Sequence, residues 1–293
     1  MSAPVATPSG VDPRVVVFRV RDEVDVFAVR TDRFLALIDT TGTPAQCRQL
    51  LDSLGADLGR TPLVVVNTHA DWDHVWGNSA VAGRAPIIAH EAALTRLRST
   101  EAAETLLAKR GGSTRFDEVE LVEPTVTFRD SLVLHGGDLT LHLLHTPGHT
   151  ADHVAVWIPE LRLCLAGDAA EDPIPEVTDP TPRDLQLLRR SLSTLLELRP
   201  DHVLPSHGET SSPDLLSHNL SYFDTVTERV DALPATELTA ELSAELAAAD
   251  ALSGLGFGDC VPAARELAPG QLDFYRMCHR KAVHAAVLQR CAR

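Results

Sequence analysis

Residues 67–78 read "NTHADWDHVWGN" and place two histidines and two aspartates within six positions, from His69 to His74. The apolar run "LVVV" at 63–66 directly precedes them and predicts a buried strand. Four polar groups crowded at the end of such a strand have two explanations. They either form a solvated loop whose aspartates cap a helix, or they share a cation.

Three other predicted strands are followed by a similar residue. His149 in "TPGHT" follows "LTLHLL", Asp168 in "AGDA" follows "LRLCL", and His207 in "PSHG" follows "HVL". The carboxyl ends of strands are where α/β proteins generally place their sites. The four stretches together therefore favour the cation over the solvated loop.

The residue types fit a metal centre. Neutral imidazoles and carboxylates bind Zn²⁺ and similar ions at roughly 2.0–2.2 Å. Two such ions about 3.5–4 Å apart can share a water and make it acidic. The candidate ligands are His69, Asp71, Asp73, His74, His149, Asp168 and His207. Seven side chains are about the number that a two-metal centre with one bridging carboxylate requires.

The rest of the pattern is a mixed α/β one in two strand-rich halves. Strand-like runs ("RVVVFRV", "DVFAVR", "FLALIDT") lead into a helical pattern after "TGTP", and one helix is expected near residues 91–110. A second strand-rich segment ends at "LRLCLAG", a proline-rich loop covers 171–182, and "RDLQLLRRSLSTLLEL" is an amphipathic helix. From about Pro213 onward only helix-like stretches remain, including "TELTAELSAELAAADAL" at 236–252.

Composition narrows the partners and the compartment. The net charge of −15 disfavours binding to nucleic-acid backbones, so a small-molecule partner and no nucleic acid are expected. No stretch approaches 18 consecutive apolar residues, so no membrane partner is expected either. Five widely spaced cysteines without a CxxC motif argue against a disulfide framework and predict a cytoplasmic protein. The N-terminus does not have the pattern of a signal peptide. The oligomeric state is left open, a homodimer included.

These motifs resemble those of the metallo-β-lactamase superfamily. "LALIDTTG", "THADWDH", "TPGHT", "AGDA" and "PSHG" occur in the order and approximate spacing of that family, across roughly residues 14–232. The resemblance implies an α/β (α+β) fold, a four-layer αββα sandwich. We expect a flexible N-terminus over 1–13, a metallo-β-lactamase-like domain over 14–232 and a C-terminal helical extension over 233–293.

The resemblance also implies a ligand set. The first metal would be held by His69, Asp71 and His149, the second by Asp73, His74 and His207, with Asp168 bridging both. The family's His-x-His-x-Asp-His motif has histidine where this chain has Asp71. The added negative charge should make the metal-bound water less acidic. Two Zn²⁺ per chain are expected, and the harder oxygen ligand also admits iron or manganese.

The implied function is hydrolysis of an ester-like bond (a thioester, lactone or carboxyl ester) of a small molecule by a metal-bound hydroxide. Asp73 would be both a metal ligand and a proton shuttle. Because of Asp71, two alternatives stay open. One is a mononuclear iron enzyme similar to a sulfur dioxygenase, and the other is a non-catalytic metal- or ligand-binding module on the same fold.

Several further residues are candidates with a structural alternative. Trp72 either packs in the core or forms a pocket wall, and Asp39 either orients a ligand histidine or occupies a turn. His153 is a candidate for lining the pocket. In thioesterases of the family, basic residues of a C-terminal helical extension bind substrate carboxylates. The corresponding candidates are Tyr275, Arg276 and Arg280, in a local basic patch that also includes Lys281, and the alternative is a solvated helix face.

Overall fold

The computed structural model of the chain describes residues 3–5, 7–20, 23–234, 254–261, 267 and 269–293. The chain divides into two compact units. The first unit comprises Met1–His145 and Asp152–Gly167, and the second comprises Thr146–Ala151 and Asp168–Arg293. The boundary expected near residue 232, between a core domain and a helical extension, stays a prediction.

The first unit contains a seven-stranded sheet whose strands follow chain order. Strands β1 to β4 pair antiparallel, and β4 to β7 pair parallel. The strands are β1 (Ala3–Val5), β2 (Val15–Val20), β3 (Val24–Arg30), β4 (Leu35–Ile38), β5 (Leu63–Val66), β6 (Ile87–His90) and β7 (Val126–Phe128). Strand β1 lies within the segment expected to be a flexible lead-in, where it pairs with β2.

The first unit also contributes four antiparallel neighbours to a second sheet. These are β8 (Ser131–His135), β9 (Thr140–His145), β10 (Val154–Ile158) and β11 (Leu163–Gly167). Every residue of β10 and β11 is buried, whereas β8 alternates between exposed and half-buried positions. That alternation identifies β8 as the strand with one solvated face.

Among its described residues, the first unit also has the α-helices α1 (Pro44–Ser53), α2 (Gly55–Leu58), α3 (Trp72–Val75), α4 (Ala92–Leu97) and α5 (Thr100–Gly112). Helix α1 buries Cys47, Leu50 and Leu51 in one cluster with the inner residues of β2 to β5. The single helix expected near 91–110 is wrong in detail, because the chain forms α4 and α5 there. The break occurs at Ser99, whose side chain accepts a hydrogen bond from Ala102 N and so caps α5.

The described part of the second unit contains the helices α6 (Pro182–Glu197), α7 (Asp214–Ala232), α8 (Phe257–Cys260) and α9 (Pro269–Cys291), and the strand β12 (His202–Pro205). Thr181 caps α6 and Pro182 occupies its first turn, where proline is favoured. Helix α7 contacts α6 and α9. The proline-rich segment before α6 is a loop, as the sequence predicts. The helix expected at 236–252 lies outside the described residues.

In the part of the chain that the structure describes, no helix combines the length and the apolar character needed to cross a bilayer.

Candidate metal centre

The first group of candidate ligands lies where β5 ends and α3 begins. The ring nitrogens of His69 and His74 are enclosed, since both residues are fully buried, and Asp73 is nearly so. The two imidazole rings lie side by side, with centroids 4.0 Å apart. Asp71 occupies the N-cap position of α3, but its side chain makes no capping hydrogen bond. The capping explanation for this aspartate is therefore not supported by its geometry.

A buried carboxylate determines the orientation of both histidines. Asp39 Oδ1 accepts from Thr68 N, and Oδ2 accepts from the Thr68 hydroxyl, each at 2.7 Å. His74 Nδ1 lies 2.9 Å from the same Oδ2. Because the Thr68 hydroxyl hydrogen points to Asp39, its oxygen is left to accept from His69 Nδ1, 3.0 Å away. Both imidazoles thus carry hydrogen on Nδ1 and present the lone pair of Nε2.

The carboxylates of this group lie at ligand-to-ligand distances from those lone pairs. His69 Nε2 is 3.4 Å from Asp71 Oδ2, and His74 Nε2 is 3.9 Å from Asp73 Oδ2. Two donors that bind one Zn²⁺ at about 2.1 Å with tetrahedral geometry are about 3.4 Å apart. The donor types and spacings in the first unit therefore fit a divalent metal ion.

Asp71 has a second neighbour that the sequence did not reveal. Arg96 of α4 contacts Asp71 Oδ1 through Nη2 and Asp152 Oδ1 through Nη1, the latter at 2.9 Å. Asp152 is fully buried, and its Oδ2 accepts from Ala70 N at 2.8 Å. Burial works to lower the pKa of Arg96, and the two carboxylates outweigh burial and raise that pKa. The guanidinium therefore stays charged beside Asp71.

The second group lies within the second unit, on three loops. Asp168 Oδ2 is 3.6 Å from His149 Nε2 and 3.2 Å from His207 Nε2. His149 Nδ1 lies 3.0 Å from the carbonyl oxygen of Glu176, which again leaves Nε2 as the lone-pair nitrogen. These separations fit two histidines and a carboxylate that share metal ions. In this unit too, the residues present suit the group that the family resemblance implies.

A glycine allows the close packing of the loop before His149. Gly148 has φ +130, and a Cβ there would lie 2.0 Å from Leu188 N of α6. No other residue fits both the conformation and the space. The turn that precedes His149 therefore packs directly against α6 at Leu188.

Glu171 is a functional candidate that sequence reasoning missed. One of its carboxylate oxygens lies within 4.8 Å of ligand atoms of His149 and Asp168. Burial, with a further contribution from Asp168, raises the pKa of Glu171 to about 8. Tyr275 donates to Glu171 Oε2 at 3.4 Å. The only sequence cue to Glu171 is its position three residues after Asp168, which carries no diagnostic motif.

The remaining candidates fall into different environments. Trp72 packs edge-on against Trp76 and Phe116, with Lys109 Nζ 3.3 Å above its ring, so it belongs to an aromatic cluster. His153 is fully buried, and its ring centroid lies 5.2 Å from that of His69.

The three candidates of α9 do not form one exposed patch. Tyr275 is buried, Arg280 is half-buried, and Arg276 is exposed and lines a cavity. That cavity has a volume of about 710 Å³ within the second unit, and its walls include Leu215, Tyr222, Phe257 and Leu272. The Arg276 guanidinium also pairs with Asp273, 3.7 Å away.

Comparison with known proteins agrees with these observations. The family model of the metallo-beta-lactamase superfamily matches residues 19–207, a range that includes every candidate ligand. The chain belongs to the metallo-β-lactamase superfamily. The predicted fold class, an αββα sandwich of this type with C-terminal helices, is confirmed. Membership also supports metal binding by the His and Asp clusters, without specifying the metal.

Individual relatives are distant. A hydroxyacylglutathione hydrolase of Methylobacterium sp. (strain 4-46) is 32% identical over 152 residues, which are 50% of this chain and 51% of that protein. The human acyl-coenzyme A thioesterase MBLAC2 is 27% identical over 179 residues, which are 55% of this chain and 61% of that protein. The chain thus spans about half the length of the hydroxyacylglutathione hydrolases that it matches.

One solved structure aligns with the whole chain. A metallo-beta-lactamase family protein from Thermus thermophilus covers 100% of this chain and 93% of its own, with a TM-score of 0.60 and 19% identity. At that identity the likeness concerns the fold alone.

Proposed function

We propose that this protein is a metal-dependent hydrolase that cleaves an ester-like bond of a small molecule, with a thioester, lactone or related carboxyl ester as the substrate class. The observation that carries the proposal is the arrangement of donors in each unit. Imidazole Nε2 atoms lie 3.2–3.9 Å from aspartate oxygens. An acyl-coenzyme A thioesterase and hydroxyacylglutathione hydrolases are among the relatives by name.

The proposed ligand assignment follows the family order. His69, Asp71 and His149 would hold one ion, Asp73, His74 and His207 the other, and Asp168 would contact both. Two Zn²⁺ are proposed, since nitrogen donors with carboxylates suit zinc, while iron or manganese would also accept the oxygen ligands. When bound, these ions would supply Lewis acidity toward the substrate carbonyl and lower the pKa of a bound water.

The chain's own groups would perform three tasks. Asp39 and Thr68 hold the tautomers of His69 and His74, so that Nε2 is available without a proton loss. Asp73 is proposed to carry a proton between the attacking water and the leaving group, since its carboxylate adjoins His74 Nε2. The burial of His69, Asp73 and His74 limits the access of bulk water to these donors.

The proposed substrate is a small molecule with an apolar portion. Of the three candidates on α9, Arg276 is the one that lines the cavity, beside apolar walls such as Leu215 and Phe257. A cavity of this size suits a drug-sized ligand. A nucleic-acid partner is not proposed, in view of the net charge of −15, and neither is a membrane partner, since no long apolar stretch occurs in the sequence. A cytoplasmic location and a homodimer stay predictions.

The contact between Arg96 and Asp71 gives a reason to retain a second candidate. If the guanidinium withheld Asp71 from the metal, the site would hold one ion, as in a mononuclear iron enzyme similar to a sulfur dioxygenase. A non-catalytic binding module would be the extreme case. Metal content measured together with turnover separates these functions.

The test is elemental analysis of wild type and Asp71→Ala, each purified without added metal, with a panel of thioesters, lactones and carboxyl esters assayed in parallel. We expect about two zincs in wild type, about one in the variant, and turnover by wild type alone. Asp57→Ala is the matched control, because Asp57 also pairs with an arginine, Arg30, but is not a candidate metal ligand. One iron per chain would support the dioxygenase, and metal without turnover the binding module.

A further inference from the structure

Position 71 has a carboxylate where the family motif has an imidazole, and the guanidinium of Arg96 contacts that carboxylate. An aspartate adds one negative charge to the ligand set, which a neutral histidine would not. The guanidinium of Arg96 contacts Asp71 on one side and the fully buried Asp152 on the other. Asp71 and Arg96 together have no net charge, as a neutral imidazole has none, and Asp152 adds one negative charge on the other side of the guanidinium.

The contact also selects which oxygen faces the metal position. Arg96 occupies Asp71 Oδ1, so that Oδ2 is the oxygen turned toward His69 Nε2, at 3.4 Å. That separation matches two donors on one ion at about 2.1 Å each. A carboxylate held in this way offers a single oxygen, as an imidazole offers a single nitrogen.

The planar guanidinium is suited to this task because it binds two carboxylates in fixed directions. Asp152 anchors the other side of the fork, and it also holds the backbone of the ligand loop through Ala70 N at 2.8 Å. Lysine has the charge but lacks the fork. The contacts of Arg96 with Asp71 and Asp152, and of Asp152 with Ala70 N, therefore tie both sides of the loop that carries His69.

We propose that Arg96 is a positioning residue that makes Asp71 a charge-neutralised, single-oxygen metal ligand, so that this carboxylate can replace the imidazole of the family motif. The inference rests on the proposed function only in requiring that His69 and Asp71 bind metal. When a neutral residue replaces Asp71, the Arg96 guanidinium keeps Asp152 as a carboxylate partner but loses the one beside the metal position. Its positive charge then opposes metal binding there, and removing Arg96 should restore affinity.

The experiment measures Zn²⁺ affinity by competition with a chromophoric chelator for wild type, Asp71→His, and the double variant Asp71→His/Arg96→Met. We expect Asp71→His alone to bind zinc about 10- to 100-fold more weakly, the range typical of altered ligand surroundings. The double variant should regain at least about tenfold of that loss. A second series uses Asp71→Asn, because asparagine has the shape of aspartate without its charge. We expect Asp71→Asn to bind zinc more weakly than wild type, and Asp71→Asn/Arg96→Met to regain part of that affinity.

The matched control is Arg98→Met in the Asp71→His background. Arg98 lies two positions along the chain from Arg96, but its guanidinium pairs with Glu123 and is largely exposed. We expect no rescue from this control. Circular dichroism of the metal-free variants verifies that each is folded before affinities are compared.

Each outcome decides the proposal. A double variant no better than Asp71→His, in both the histidine and the asparagine series, would show that Arg96 has only a structural role. Equal rescue by Arg98→Met would show a long-range charge effect and also overturn the proposal. Wild type that binds no zinc would overturn both this inference and the proposed function, whereas zinc binding without rescue would overturn this inference alone.

Discussion

Asp39 is the residue on which the orientation of the first ligand group depends. It has φ 67, a left-handed conformation that aspartate and asparagine tolerate better than most residues. From that position one carboxylate accepts from Thr68 N, the Thr68 hydroxyl and His74. The sequence presented Asp39 as either a turn residue or a partner of a histidine, and the structure shows that one residue occupies both situations.

We expect Asp39→Asn to lower zinc affinity by about 10- to 100-fold while leaving the fold intact. Asparagine tolerates the backbone conformation, but its amide replaces a charged acceptor and can turn a donor toward His74 Nδ1. Chelator competition measures the affinity, and Asp57→Asn is the control, since Asp57 pairs with Arg30. Unchanged affinity in Asp39→Asn would contradict the orienting role of this carboxylate.

His90 is a second residue whose environment sets a measurable property. Its Nδ1 accepts from Ala92 N at 3.2 Å, at the start of α4, and its ring stacks on His145 with centroids 3.7 Å apart. Burial, and then the neighbouring His145, lower the pKa of His90 in the folded protein. The folded state therefore resists protonation of a ring that the unfolded chain protonates near pH ~6.5.

This lowered pKa predicts that the metal-free protein loses stability as the pH falls below about 6.5. Over that window the unfolded chain binds the proton and the folded chain does not, so the free energy of unfolding rises with pH. His90→Asn, whose amide oxygen can still accept from Ala92 N, should show a smaller loss. Urea unfolding on either side of that pH, with a chelator present, measures the difference.

The control for the pH experiment is His135→Asn, because His135 is exposed at the end of β8. It should behave as wild type. If His90→Asn loses as much stability on acidification as wild type does, then His90 does not contribute to the pH dependence.

At the scale of elements, helix α9 holds the loop that orients His149. Lys281 Nζ donates to Glu176 Oε1 and, at 3.0 Å, to Thr178 O. The same loop accepts from His149 Nδ1 through Glu176 O, and Thr178 N donates to His149 O at 3.2 Å. Helix α9 thus supports a candidate ligand indirectly, because Lys281 binds Glu176 and Thr178, and the backbone of these two residues binds His149.

Lys281→Met should weaken zinc binding by up to about tenfold and lower the free energy of unfolding by about 1.5–3 kcal/mol, the usual contribution of a hydrogen bond to a charged group. Lys281 and Glu176 are both largely buried, so solvent screens their interaction little. Chelator competition and urea unfolding measure the two effects. Arg276→Met, on the same helix but lining the cavity, is the control. An unchanged zinc affinity would show that the loop is held without Lys281.

For the whole molecule, the proposed centre collects ligands from residues 69–74, 149, 168 and 207, so bound metal should stabilise the folded chain. A ligand that binds only the folded state adds about 2.7 kcal/mol at a concentration roughly 100 times its dissociation constant. We expect a chelator to lower the melting temperature and zinc to restore it. Magnesium at the same concentration should not, because it prefers all-oxygen sites. Equal melting with and without metal would contradict a stabilising centre.

Much of the fold could be predicted because its signals are local. Apolar β-branched runs of strand length predict β2 to β5, and the helical spacing of apolar residues in 183–198 predicts α6. Local capping was harder to anticipate. The break between α4 and α5 depends on Ser99, a residue that is equally acceptable on a helix surface.

The candidate site was predicted less completely, for a physical reason. Histidines and aspartates that follow strands are visible in the sequence, and the order of their motifs identifies the family. The roles of Arg96, Asp152 and Glu171 were not visible, because each is defined by partners that lie between 3 and 104 positions away along the chain. Charge and burial at these positions depend on which distant groups surround them.

By itself, therefore, the sequence determined the family, the fold class and the set of candidate ligands, since these follow from residue types in local patterns. Only the tertiary structure decided which tautomer His69 and His74 present, which oxygen of Asp71 faces His69, and which cation pairs with that carboxylate. Hydrogen-bond geometry and electrostatic energy depend on distances in space. Those distances are determined only when strands and helices pack together.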